Sequence, residues 1–186
     1  MWLSRRGQSL TKWRSAASST VVAAVDGLKP IFEDARDRCR DEKASVADRV
    51  AAIALLGRGL KDREHDINLL GNLLAPQTPR QLQSAAIAAL VGLADPKSPQ
   101  LLLAGWKTMG PELRGQVLDA LLGRPAWSAE LLNRIERGEV AAAEIDAARA
   151  QRLLDSKDQA LRTRAARLLG GHSNPDRQKV VAEYRS

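Results

Sequence analysis

From Ser19 onward apolar residues recur with a helical period, and no stretch alternates apolar and polar positions as a half-buried strand would. Pro30 is placed to open a helix in which Ile31, Phe32, Ala35 and Cys39 make one apolar stripe on an otherwise charged cylinder. A second helix runs from Ser45 to Leu56 and is closed by Gly57 and Gly59. A third, Arg63 to Ala75, carries Ile67, Leu69, Leu70, Leu73 and Leu74 and stops at Pro76; Pro79 then turns the chain into a fourth, Arg80 to Leu93. Further helices are predicted over Pro99–Met109, Trp127–Arg137 and, past the Gly138 break, Ala142–Leu154. Asp95-Pro96, Gly110-Pro111 and Arg124-Pro125 supply the short turns between them, so the unit is a helical hairpin.

The hairpin repeats. Four second helices align on one frame, DRVAAIALL, LQSAAIAAL, LRGQVLDAL and LRTRAARLL, beginning at residues 48, 82, 113 and 161, with offsets of 34, 31 and 48. The first two offsets suit a helical-hairpin repeat, and the third leaves room for an added helix. A single hairpin cannot bury its apolar face, and the small residues Ala85, Ala86, Ala88 and Ala89 allow close helix approach. The expected fold is therefore all-α, with at least four hairpins stacked side by side as a HEAT/armadillo-like α-solenoid over residues 19–186. An Ala-rich four-helix bundle is the plainer architecture, but it has no reason to repeat a nonapeptide frame.

Composition sharpens this. Hydrophobic residues are 44% of the chain and aromatic ones only 3%, so the core must be built from Ala, Leu, Ile and Val. One cysteine excludes an internal disulfide, two histidines are too few for most zinc sites, and no apolar run is long enough for a membrane span. The net charge of +7 is carried by the ends: residues 1–25 hold four basic residues and no acid, residues 157–186 hold seven basic and three acidic, and the stretch between is near neutral. A nucleic-acid contact through such ends is expected to be weak, non-specific and strongly salt-dependent. Residues 1–18 read as a poorly ordered basic leader with the composition of an organellar transit peptide. They lack the apolar core of a secretory signal, and a frayed lead-in explains them equally well.

The frame preceded by a Pro-containing turn, LAPQTPRQLQSAAIAAL, resembles the HEAT and armadillo class of helical repeat. More specifically, the stretch from Leu73 to Tyr184 resembles the helical-repeat region of large planctomycete and verrucomicrobial proteins described as membrane-bound dehydrogenases with a haem-binding domain. The pieces that carry it are DRVAAIALLG, LLLAGWKTMGPELRGQVLDALLGRPAW, LLNRIERGEVAAAEID, LRTRAARLLG and NPDRQKVVAEY, and the match spans nearly all of residues 45–186. The resemblance implies an array between a sugar-dehydrogenase-like β-propeller and a c-type cytochrome domain, outside the cytoplasm. This chain has neither propeller strands nor Cys-x-x-Cys-His. No regular Asp-to-Arg ladder between repeats is legible either. What the resemblance implies here is a scaffold or linker whose partner is protein, either neighbouring domains or another chain.

No residue set points to catalysis, a cofactor or a metal: G-x-S-x-G, H-E-x-x-H, a Walker loop and G-x-G-x-x-G are all absent. Cys39 has Arg36, Arg38, Arg40 and Lys43 nearby, which would favour a thiolate, but its stripe predicts a buried packing residue. His65 opens a helix beside Glu64 and Asp66 and, with no second His or Cys near, reads as a solvated helix start. Trp106 and Trp127 invite comparison with helical-repeat alkylpurine DNA glycosylases, the rival function, yet both occupy packing positions. Arg49, Arg114 and Arg162 recur at one frame position and make a possible partner-binding face, or pair with nearby carboxylates such as Asp48 and Glu112. Val181 and Tyr184, on a helix predicted from Pro175 to Tyr184, form an expected apolar end surface for a following domain that carries Cys-x-x-Cys-His.

Overall fold

The computed structural model describes residues 18–59 and 61–170. In order these hold α1 (Ser19–Asp26), α2 (Lys29–Arg40), α3 (Val46–Ile53), α4 (Arg63–Asn72), α5 (Arg80–Leu93), α6 (Ser98–Ala104), α7 (Pro111–Leu121), α8 (Pro125–Glu136), α9 (Ala147–Leu154) and α10 (Gln159–Leu169), with single 3₁₀ turns at Trp106–Thr108 and Ala142–Glu144. No strand occurs among the described residues, and the protein is all-α.

The helix starts follow local chemistry. Ser45 accepts from the Asp48 amide at 3.1 Å, Asp146 from the Arg149 amide at 3.0 Å, and Asp158 from the Ala160 amide at 2.9 Å, each giving a first-turn N–H the partner it lacks inside the helix. Proline sits in the first turn of α2, α6 and α8, where its missing N–H costs nothing. Gly57 closes the turn after α3 at φ +71°, a backbone angle that favours glycine, and a Cβ there would have to displace the Leu93 side chain, 2.5 Å away.

The described residues fall into two compact units that divide at Leu113 and Arg114, inside α7. In the first, α2 packs on α3, α4 on α5, α3 on α5, and α4 and α5 on α6. Its core is Ala35, Cys39, Ile53, Leu56, Ile67, Leu70, Leu82, Ala86, Leu90, Leu102 and Trp106. In the second, α9 packs on α10 and α8 on α10, over Val117, Leu121, Leu131, Leu132, Leu153, Leu161 and Ala165.

The predicted Arg80–Leu93 helix is found with those limits, while several others are shorter. The Ser45–Leu56 helix ends at Ile53 and passes through turns to Gly57; the Arg63–Ala75 helix ends at Asn72. The Pro99–Met109 helix breaks at Gly105, where a Cβ would meet the Met109 methyl at 3.1 Å and the Leu74 carbonyl at 3.4 Å. The Ala142–Leu154 helix breaks at Asp146, whose carboxylate caps a new start. Ile31, expected in the buried stripe with Ala35 and Cys39, is 49% exposed, because α2 packs through Ala35 and Cys39 and leaves its outer turn uncovered.

Candidate functional site

The recurring frame arginines have a local task. Arg49 donates through Nε to the Cys39 carbonyl at 3.1 Å, near the end of α2, and Arg162 donates to the Ser156 carbonyl at 3.0 Å, just past the end of α9. Gln83 occupies the same frame position in α5 and, buried, donates through Nε2 to the carbonyls of Leu74 and Ala75 beyond the end of α4. The last carbonyls of a helix have no partner within it, so a long donor on the following helix fastens each turn. Arg114, the remaining frame arginine, donates to Glu144. The three candidate arginines are not brought together by any shared partner: Arg49 lies in the first unit, Arg114 and Arg162 go to different groups in the second, and the polar end of each is engaged within the chain.

The other buried polar side chains are spent in the same way. Ser98 donates to the Leu90 carbonyl at 3.0 Å and Ser128 to the Leu121 carbonyl at 3.1 Å, each fastening the start of a first helix to the end of the preceding second helix. Asp66, 1% exposed, accepts from Arg36 Nε at 2.6 Å and from the Gly57 amide at 2.8 Å, so one carboxylate ties α2, the turn after α3, and α4. That hydrogen bond also raises the pKa of the Arg36 guanidinium. Each of these groups is satisfied, as burial requires.

Ion pairs join residues about one hairpin apart. Arg36 pairs with Asp66, Arg63 with Asp95, Glu64 with Lys97, and Arg80 with Glu112 in the first unit; Arg114 pairs with Glu144, Asp119 with Arg149, and Glu136 with Arg164 and Arg167 in the second. Charge pairs thus recur at about the repeat spacing, although no regular Asp-to-Arg ladder is among them. The base comes first in some pairs and the acid in others, so no fixed Asp-to-Arg pattern marks them. Hydrogen bonding from Arg149 holds the Asp119 carboxyl below its ordinary range, and hydrogen bonding from Arg164 does the same for Glu136.

With the charges so employed, one surface stands apart. On α3 and α5 the outward arc is Val46, Ala47, Val50, Ala51 and Ala54 beside Gln81, Ser84, Ala85 and Ala88, all exposed or half-buried and none charged. Between these helices and Glu112 of α7 lies an open groove of about 610 Å³, with Arg80 and Glu112 paired across its rim. Equivalent frame positions elsewhere take charge: where α3 has Ala54 and α5 has Ala88, α7 has Asp119 and α10 has Arg167. The sequence reading took this face only as close-packing alanine. Its signal was that alanine persists at positions the structure leaves in solvent.

The remaining candidates are placed as follows. Cys39 is fully buried, and burial pushes its thiol pKa up, away from thiolate chemistry. His65 is exposed against Arg40, and no group of three or more His, Cys, Asp or Glu residues able to hold a metal occurs among the described residues. Trp106 and Trp127 are both buried, the latter with the Arg124 guanidinium 4.6 Å from its ring centre. Val181 and Tyr184 lie outside the described residues. No helix among the described residues is long and apolar enough to cross a membrane. No family model, curated protein or solved structure matches the chain.

Proposed function

We propose that this chain is a non-catalytic helical-repeat scaffold, a HEAT-like stack of hairpins that presents the α3–α5 face to a protein partner. The stacking is supported by the packing order: α3 meets α2, α5 meets α4 and α10 meets α9, and α3 meets α5 as α4 meets α6. It is supported too by ion pairs that recur at the spacing of the sequence repeat. The observation that carries the interaction reading is the uncharged, exposed arc on α3 and α5 with its groove. In a chain whose residues are 27% charged, an apolar patch across two adjacent helices is the surface that loses least on desolvation and gains most on being covered. The broader setting, a linker in a larger haem-binding dehydrogenase-like protein, rests on the sequence pieces from residue 45 onward and makes the partner a neighbouring domain or chain.

The nucleic-acid alternative draws no support from this surface. Residues 18–170 hold 22 basic and 20 acidic side chains, and most of the arginines are hydrogen-bonded or ion-paired within the chain. A photoreactive amino acid at Gln81, expressed in the native cell, is expected to yield a discrete polypeptide adduct, while the same group at exposed Asp155 yields none. A nucleic-acid adduct from Gln81, or no adduct at all, overturns the reading.

A further inference from the structure

Residues 1–25 carry four basic side chains, Arg5, Arg6, Lys12 and Arg14, and no acid. At the helical period the large apolar residues among them gather on one side: Trp2, Leu3, Leu10 and Trp13 fall within an arc of about 100°, joined further on by Ala24 and Leu28. Arg5 and Lys12 flank that arc on one edge and Arg14 on the other. Arg6 falls inside it, on a stem long enough to carry the guanidinium out to the polar side. The described end of the run, α1, agrees with the pattern: Thr20 and Ala24, along the arc, are exposed, while Val22 and Asp26, on the opposite side, are half-buried. No described side chain of α1 is fully buried, and the helix is uncharged up to Asp26. Two exposed large apolar residues, Leu28 and Ile31, follow at its end. We propose that this end of the chain binds the surface of an anionic lipid bilayer, residues 2–26 lying in the headgroup plane as one amphipathic helix with Trp2, Leu3, Leu10 and Trp13 immersed.

Charge complementarity selects this occupant. An apolar stripe with bases along both edges matches a surface that is apolar within and negative all round, as the headgroup layer of an anionic leaflet is. Tryptophan, apolar in its body and polar at its indole N–H, suits that depth. Each base close to such a leaflet strengthens binding about fivefold. Nucleic acid would use the bases but has no need for Leu3 and Leu10 on the same arc as the tryptophans. The acids Glu33, Asp34 and Asp37 lie further along α2, Asp34 paired with Arg38 and Asp37 with Arg40, so the contact ends at the first turn of α2. The uncharged face of α3 and α5 takes no part, and the two readings stand or fall separately.

The test is co-sedimentation of the full chain with lipid vesicles. The protein is expected to pellet with vesicles of phosphatidylcholine and phosphatidylglycerol in equal parts, to stay in solution with phosphatidylcholine alone, and to be released by salt. Because Trp106 and Trp127 are buried, a blue shift of tryptophan emission on adding the anionic vesicles reports Trp2 and Trp13. Arg5→Gln together with Arg6→Gln should weaken binding about twenty-five-fold, and Trp2→Ser together with Trp13→Ser should remove most of it. Ala24→Glu puts an acid on the exposed side of α1 and should weaken binding with the urea midpoint unchanged, since glutamate is a good helix former. No binding, equal binding to neutral vesicles, or a tryptophan-pair variant that binds as the intact chain does overturns the inference, the last by showing adherence through charge alone. A chain that ignores vesicles but is retained by duplex DNA overturns it too and gives this end to nucleic acid, and binding indifferent to Ala24→Glu removes α1 from the bilayer.

Discussion

Asp66 shows how single residues carry this architecture. It accepts from Arg36 and from the Gly57 amide while almost wholly buried, so Asp66→Ala strands a guanidinium that is itself only 12% exposed and leaves a backbone amide unpaired. Breaking a buried pair from one side costs about 3–5 kcal/mol, and a urea titration of Asp66→Ala should show a loss on that scale. At Ala94 the opposite sign is expected. This residue ends α5 at φ +51°, the left-handed region, where alanine is strained by roughly 1 kcal/mol relative to glycine. Ala94→Gly should therefore raise the urea midpoint, the gain reduced by the greater freedom of glycine in the unfolded chain; an unchanged or lowered midpoint would mean that the strain is relieved elsewhere. At this scale the sequence was partly legible. The burial of Cys39, Trp106 and Trp127 follows from their place on apolar stripes. The role of Arg49 and Arg162 does not, since a recurring arginine looks the same whether it faces a partner or the carbonyl end of the helix before it.

At the scale of elements, helix existence and kind were readable from periodicity, and helix ends were not. The Arg80–Leu93 helix is bounded by Pro79 and by a backbone reversal at Ala94, so propensity and tertiary structure agree. The predicted helices at Pro99 and Ala142 are cut because Gly105 must pass close to Leu74 and Met109 and because Asp146 prefers to cap, choices made by packing and by competition within the chain. The ion pairs were missed for a related reason: their partners lie about thirty residues apart and meet only in the folded chain. These pairs have a pH signature. Asp119 and Glu136 are held below their ordinary values in the folded chain, so both bind protons less readily folded than unfolded. The stability they contribute is present above the unfolded values near 4 and is lost as pH falls through the folded values. Urea midpoints should decline below about pH 4, and Asp119→Asn should flatten part of that decline. Because these carboxylates are open to solvent and screened by it, the effect of each should be small; a decline identical in Asp119→Asn and the intact protein would remove Asp119 as a contributor.

For the whole molecule the question is which surface does the work once the charges are accounted for. The net charge of +7 drew attention to arginine, yet most arginines among the described residues are tied to carbonyls and carboxylates, and an uncharged surface of alanine, valine and serine lies on α3 and α5. The helical frame was visible in the sequence; that two of its four copies keep alanine in solvent where the others carry Asp119 and Arg167 became meaningful only with the burial of each position known. The most direct measurement is the yield of the Gln81 photo-adduct in two variants of the intact chain. Ala88→Arg places a cation in the middle of the uncharged face and is expected to abolish the adduct with no change in melting temperature, whereas Arg162→Ala, which loosens a turn clamp, is expected to leave the adduct in place. An adduct that survives Ala88→Arg and disappears with Arg162→Ala would contradict the account and return function to the arginines.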